Sequence, residues 1–347
     1  MSDVLLQKVA APTNPLRQAT ALLQPGLSRL ESALDSIVSS TVELIPEVSK
    51  HLIGSGGKRI RPILLMLMGQ ACDGELEQTI DLAVASELLH NATLLHDDVV
   101  DRGHLRRGVT AAPKVYGNSA SVLVGDFLLA QGFGIVVRFG DLDVLTELSR
   151  VVTSMAEGEI LQLIRSGRTT LSLEGYEEII SGKTAGLFSW CCYAGARLGK
   201  VNPKQTQAAL KFGRAFGMAF QVTDDVMDYT ATVEESGKDL ANDLRQGKTT
   251  LPLLLACEED KNLLKKVESL AAGDPDPEEC CKIVKRVLAT SGVAKAMEKA
   301  SNYINDALDF LSTFPDRPAI GCLADLAQYI IQRVPAGNVA KSKYFDT

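Results

Sequence analysis

Aromatic residues are scarce in this chain, 5% of 347 residues with a single tryptophan, although hydrophobic residues reach 46%. An interior built from aliphatic side chains argues for packed helices over a β-sandwich, and strand-like alternation bounded by turns is rare as well. Seven cysteines are present, yet none stands in a CxxC or CxxxC pair; Cys191-Cys192 and Cys280-Cys281 are adjacent. That spacing suits neither a zinc site nor a disulfide framework, and it points to a reducing compartment such as cytoplasm, plastid stroma or mitochondrial matrix. Positive charge is not in excess: the formal net charge of -7 argues against non-specific nucleic-acid binding. No Gly-x-Ser-x-Gly elbow and no Ser/His/Asp arrangement supplies a nucleophile. Five Gly-Lys pairs occur, but the residues five before Gly57, Gly182, Gly199, Gly237 and Gly247 are Leu52, Glu177, Ala194, Thr232 and Asn242, so no P-loop exists. The most membrane-like stretch, 119–137, is broken by Asp126, Gln131 and three glycines. Met1 to Asn14 lacks both the apolar run of a signal peptide and the arginines of a transit peptide.

What the chain does have is one acidic signature written twice, Asp97-Asp98-Val99-Val100-Asp101 and Asp224-Asp225-Val226-Met227-Asp228. Each closes a long apolar stretch of helical character. On a helix the first and last Asp of each signature are four apart and share a face, so each helix end presents clustered carboxylates. Such groups repel one another unless cations intervene. Few hard oxygen ligands suit Mg²⁺, which bridges protein carboxylates to substrate phosphates. Two clusters facing each other would hold a diphosphate from both sides.

The apolar spacing predicts helices over 27–50, 59–72, 77–101, 119–138, 143–166, 174–198, 204–229, 247–256, 261–270, 277–291, 293–312 and 318–333. No break between them is long or biased enough to be a domain linker. The reading is therefore one large helical domain over 27–335, preceded by an N-terminal extension, 1–26, and followed by a C-terminal tail, 336–347. The polar segment Thr230 to Gln246, which carries Lys238, directly follows the second acidic signature and is long enough to be functional. Gly56-Gly57-Lys58-Arg59-Ile60-Arg61-Pro62 is a flexible turn with cations at the start of a helix, a plausible anion cradle.

With GGKRIRP at 56–62, ELLHNATLLHDDVVDRGHLRRG at 87–108, GDFLLA at 125–130, GKTAGLF at 182–188, FQVTDDVMD at 220–228 and GKDLANDLRQGKTTLP at 237–252, nearly the whole chain resembles the trans-isoprenyl diphosphate synthases. These enzymes join an allylic diphosphate to isopentenyl diphosphate head to tail. The resemblance implies an all-α protein of the isoprenoid synthase fold, usually a homodimer, with helices surrounding a deep central cavity. It implies Mg²⁺ on Asp97, Asp98 and Asp101 and on Asp224, Asp225 and Asp228. Lys58, Arg61, His90 and Arg107 match residues that hold isopentenyl diphosphate. Arg106, Lys183, Lys238 and Lys248 match those that grip the allylic diphosphate, and Thr184 and Gln221 match polar groups beside the reacting carbons.

The chemistry agrees with this assignment. Breaking an allylic carbon–oxygen bond leaves a stabilised cation and a heavily charged leaving group, so metal ions and Lys/Arg are required and a protein nucleophile is not. In the family a bulky residue four or five positions before the first Asp limits product length. Here Thr93 and Ala92 stand at those positions, and Leu89 or Leu88, then Ser86 and Ala85, lie further back. One helical turn of about 5.4 Å is comparable to one isoprene unit. A medium- to long-chain product, beyond four isoprene units, is expected, with a floor on the helix around Met155 to Leu163. Four alternatives differ in testable ways. A short-chain, geranylgeranyl-type enzyme would share every motif. A non-catalytic partner subunit would have lost an acidic cluster. A class I terpene cyclase would lack Lys58, Arg61 and Arg107. A di-iron bundle needs two Glu-x-x-His pairs and only Glu87 to His90 has that spacing. His96 and His104 are read as structural.

Overall fold

The computed structural model describes residues 14–165, 172–230, 242–270 and 277–334. Sixteen α-helices, one π-helical turn and one two-stranded hairpin make up the described chain. Helix α1 (Pro15–Ile37) starts where Asn14 caps it, accepting from Leu16 N at 2.9 Å, with Pro15 in the first turn. The sequence reading began this helix at residue 27, after Pro25. That proline instead lies inside α1, where Ala19, Leu23, Leu27, Leu30 and Leu34 are buried along one face. Burial of that face outweighs the lost backbone donor. The proposed extension, 1–26, therefore contributes its last part to the core. The predicted 27–50 helix is likewise two helices, because Ser39-Ser40-Thr41-Val42 is poor helix sequence, and α2 (Leu44–Ile53) begins beyond it.

Helices α3 (Ile60–Ala71) and α4 (Leu76–Val100) follow. Pro62 to Gly69 are all buried in α3, and α4 buries Leu82 to Leu89 without a break. Helices apolar all round belong to an interior. After α4 the chain forms a hairpin, Leu105–Arg106 paired with Val109–Thr110. Its two central residues, Arg107 and Gly108, have φ of 51° and 80°. Positive φ at both positions is what a two-residue turn matched to strand twist requires.

Helices α5 (Ala112–Tyr116), α6 (Asn118–Phe139) and α7 (Leu142–Arg165) come next. By length and composition α6 is the one helix among the described residues that could cross a bilayer. It packs along α4, with Gly125 against His96 and Gly132 against Leu89.

The stretch predicted as one helix over 174–198 is α8 (Leu173–Ile180), a π turn (Ser181–Ala185) and α9 (Gly186–Arg197). Its cause is a backbone crossing. A Cβ on Gly182 would lie 2.5 Å from Ser154 O of α7, and one on Gly158 would lie 2.9 Å from Lys183 N. Glycine on both sides lets the helices touch, and the π turn is the kind of local bulge found at functional sites.

Helix α10 (Pro203–Thr230) is 28 residues long and is followed by α11 (Asn242–Arg245), α12 (Leu251–Glu259), α13 (Lys261–Leu270), α14 (Pro277–Leu288), α15 (Gly292–Leu311) and α16 (Pro318–Gln332). Two apolar clusters result. The larger unites α1 to α7, α9, α10, α15 and α16, and a smaller one joins α8, the C-terminal half of α10 and α11 to α15. The tail, 336–347, and Lys238 lie outside the described residues.

Candidate active site

The first acidic signature sits on the last turn of α4 and its exit. Asp98 is buried, and its Oδ1 accepts from Arg106 Nε at 2.8 Å and from Arg106 Nη2, while Oδ2 is buried without a partner. Asp101 Oδ2 accepts from Lys248 Nζ at 2.7 Å. Burial, reinforced by Glu159 and Asp101 against the pull of Lys183, pushes the Asp97 carboxyl up to about 6. Lys183, on the π turn, is paired with Glu159 of α7. Burial disfavours its charge, but Asp97 and Glu159 together hold its pKa above the ordinary value. One wall therefore presents Asp97, Asp98, Asp101 and Glu159 interleaved with Arg106, Lys183 and Lys248. Glu159 was missed by sequence reasoning: it stands alone in α7 and only the Gly158 crossing brings it to Lys183.

The second signature lies near the end of α10. Asp224 Oδ1 is paired with Arg333 Nη2 at 2.6 Å, just beyond α16. Arg333 also bonds Phe220 O at 2.9 Å and Thr223 Oγ1 at 2.5 Å, and its guanidinium lies 4.3 Å from the Phe220 ring. Asp228 Oδ2 accepts from Asp243 N at 3.1 Å. Asp225 differs from its neighbours. It is 2% exposed, and both oxygens are taken, Oδ2 by Tyr176 OH at 2.6 Å and Oδ1 by Gln221 Nε2 at 2.8 Å. Burial, with Asp243 nearby, pushes its carboxyl up to about 8. Gln221 Oε1 in turn accepts from Thr184 Oγ1 at 2.7 Å.

Between the two signatures lies a group of cations. Lys58 is exposed on the loop before α3, and Arg61 follows on the first turn, its guanidinium 4.4 Å from the Phe188 ring and its Nε buried without a partner. Arg107 Nη1 donates to Gly56 O. That contact ties the hairpin to the glycine turn. His90 is neutral: burial, then Arg61, Arg107, Arg106 and Arg59, depresses its pKa well below the usual value. Arg61 and Arg107 beside a neutral imidazole form an electropositive lining. Arg59, at φ 48°, has its charge taken up by carboxylates, bridging Glu31 at 2.7 Å and buried Glu87 at 2.6 Å. Glu87 is thus a structural partner of Arg59, which removes the di-iron reading of Glu87 and His90.

The two positions expected to govern product length lie one turn from Asp97. Ala92 is fully buried, and Thr93 bonds its hydroxyl to His90 O at 2.8 Å, so neither adds bulk. His96 touches Val122 O at 3.2 Å and Asp126 at 3.4 Å on α6, in keeping with a structural role.

Among the described residues no three Asp, Glu, His or Cys side chains converge into a preformed metal cage. The donor set nevertheless fits Mg²⁺. It needs only one or two carboxylates together with substrate oxygens, and Asp98 Oδ2 is a buried carboxylate oxygen lacking any partner.

The chain matches the polyprenyl synthetase family model over residues 42–288. It belongs to that family. The chain is 33% identical to the octaprenyl diphosphate synthase of Escherichia coli over 322 residues, 92% of this chain and 99% of that protein. It is 34% identical to the all-trans-nonaprenyl-diphosphate synthase (geranyl-diphosphate specific) of Rhodobacter capsulatus, over 88% and 94% of the two chains. The crystal structure of a polyprenyl synthase from Caulobacter crescentus, complexed with calcium and isoprenyl diphosphate, superposes with a TM-score of 0.88. It is 33% identical and covers 94% of this chain and all of that one. The all-α isoprenoid synthase fold follows from these matches and from the helices described above. The predicted run of motifs thus lies within one shared architecture.

Proposed function

We propose that this polyprenyl synthetase family member is a trans-prenyltransferase that condenses isopentenyl diphosphate with an allylic diphosphate and releases a medium- to long-chain all-trans polyprenyl diphosphate. The observation that carries this reading is the interleaving of Asp97, Asp98 and Asp101 with Lys183, Arg106 and Lys248, beside a separate arginine lining around His90. Two anionic groups are thereby given two different sites.

Asp97, Asp98, Asp101, Asp224 and Asp228 would hold Mg²⁺, which supplies charge neutralisation of the leaving diphosphate when bound. Lys183, Arg106 and Lys248 bind the allylic diphosphate oxygens and stabilise the charge that develops as the carbon–oxygen bond breaks. Lysines and arginines already paired with carboxylates can exchange those partners for phosphate oxygens at low cost. Lys58, Arg61, Arg107 and neutral His90 hold the diphosphate of isopentenyl diphosphate, so that its double bond faces the forming cation. Thr184 and Gln221 offer oxygen lone pairs at the reacting carbons. The double bond attacks the allylic carbon, a new carbon–carbon bond forms, and a proton leaves from the adjacent carbon, with the released diphosphate as base. Small Ala92 and the self-satisfied Thr93 leave the first turn before Asp97 without bulk, which favours repeated addition over a short product.

A second copy of this chain is the expected partner. Val122 and Leu123 on α6 and Ile160, Leu163 and Ile164 on α7 are exposed and apolar, a surface suited to self-association. The test of the reading is transfer of label from isopentenyl diphosphate into extractable lipid. Transfer should require an allylic primer, vanish on chelation and return with Mg²⁺; full activity in excess chelator would refute the metal-dependent mechanism.

A further inference from the structure

Tyr176 is buried on α8, outside the run of motifs, yet it donates to the second signature at Asp225. We propose that Tyr176 is a positioning residue: through Asp225 and Gln221 it fixes the direction of the Thr184 hydroxyl proton, so that the oxygen faces the allylic carbon, and Asp225 anchors this relay rather than binding a cation. The proposal rests on the prenyl-transfer reading above.

Three hydrogen bonds run in series. Thr184 Oγ1 donates to Gln221 Oε1 at 2.7 Å, Gln221 Nε2 donates to Asp225 Oδ1 at 2.8 Å, and Tyr176 OH meets Asp225 Oδ2 at 2.6 Å. A glutamine amide has no intrinsic direction, since turning it over exchanges its oxygen and its NH₂. Turned over, it would donate to Thr184 and release the hydroxyl proton toward the cation, where it would oppose the reaction. The end of the relay forbids this. The oxygen of a carboxylate, or the carbonyl oxygen of an acid whose proton sits on Oδ2 facing the phenol, only accepts, so Asp225 Oδ1 requires the NH₂ of Gln221, and the amide oxygen is left to take the proton of Thr184. Thr184 has one proton to give and then shows only lone pairs to the forming cation.

Tyrosine has a particular merit at the far end. A phenol can donate to a carboxylate or accept from a carboxylic acid, so Oδ2 is satisfied in either state and Oδ1 stays an acceptor. Tyr176, Asp225 and Thr184 are 3%, 2% and 9% exposed, so water cannot substitute for a missing member. A cation at Asp225 would have to reach a carboxyl group only 2% exposed whose two oxygens each already accept a hydrogen bond, whereas Asp224, on the preceding position, keeps a side chain 39% exposed.

Steady-state kinetics of the full chain test this directly. Tyr176→Phe should lower kcat by about tenfold or more, the scale of a hydrogen bond to a charged group, with both KM values and the half-saturating Mg²⁺ concentration moving less than about twofold. In a Thr184→Ala background the same change should cost less than about twofold, because the relay no longer ends at a hydroxyl. Asp225→Asn can turn its oxygen to Gln221 and its NH₂ to the phenol, so it should lose less than about tenfold at an unmoved Mg²⁺ requirement, while Asp225→Leu loses about a hundredfold. Equal losses from Tyr176→Phe in both backgrounds would overturn the relay, and so would a tenfold rise in the Mg²⁺ requirement of Asp225→Asn. If Tyr176→Phe fails to show a cooperative thermal transition, the Asp225 pair decides alone. An inactive wild-type chain would sink the prenyl-transfer reading itself; an active one with additive variants sinks only the relay.

Discussion

Adding one methyl group at Gly182 should disable catalysis while leaving the fold in place. The Cβ of Gly182→Ala would lie 2.5 Å from Ser154 O and 3.2 Å from Ser154 Oγ, where ordinary contact begins at 3.4 Å. The π turn and α7 must therefore separate by the difference, 3.4 less 2.5, or about 0.9 Å. Overpacking of this kind costs about 1–3 kcal/mol, which a chain with two large apolar clusters can absorb. The displaced atoms, however, are those of Lys183 and Thr184. A misplacement near 1 Å at reacting groups costs on the order of 10²-fold in rate. Initial rates with saturating primer and labelled isopentenyl diphosphate should show kcat reduced by about that factor, and circular dichroism should show unchanged helix content. Gly158→Ala presses the same crossing from the other side, 2.9 Å from Lys183 N, and should combine with Gly182→Ala less than additively. A Gly182→Ala enzyme within threefold of wild type would refute the idea that this crossing sets the catalytic lysine and threonine.

Three other outcomes are expected. Arg59→Leu should destabilise the protein by about 3–5 kcal/mol in chemical denaturation, because Glu87, 2% exposed, loses its charged partner and keeps only Asn91 at 3.2 Å. Ala92→Phe should shorten the product without abolishing turnover, read by chromatography of the dephosphorylated lipids. Asp97 is neutral below its folded value of about 6 and charged above it, so a group that must be ionised to bind a cation gains affinity as pH rises through that value. The apparent Mg²⁺ affinity should therefore weaken by up to about tenfold per pH unit below 6 and level off above it, as a Mg²⁺ titration at each pH would show.

Much of the fold was legible because its cues are local. The boundaries of α4, α6 and α10 follow from apolar spacing and from turn residues, and repetition of the acidic signature made the site visible before any geometry. The misread parts have non-local causes. Pro25 marks a helix start by local rules, but the buried face from Ala19 to Leu34 carries α1 through it. The π turn at 181–185 has no signature in its own sequence; it exists because Gly182 meets Ser154 O. Glu159, Tyr176 and Arg333 were invisible for the same reason, each being a single polar residue in a helix whose partner is distant in sequence. Asp225 is the instructive case, since its motif reads as three equivalent carboxylates while Tyr176 of α8 and Gln221, one turn back on α10, occupy both oxygens of the middle one.

The central claim is that this site builds polyprenyl chains beyond four isoprene units, and sizing the product tests it most directly. Purified protein should be incubated with labelled isopentenyl diphosphate, an allylic primer and Mg²⁺, and its dephosphorylated product resolved by chain length. Products longer than four isoprene units are predicted. A single three-isoprene product would contradict the account.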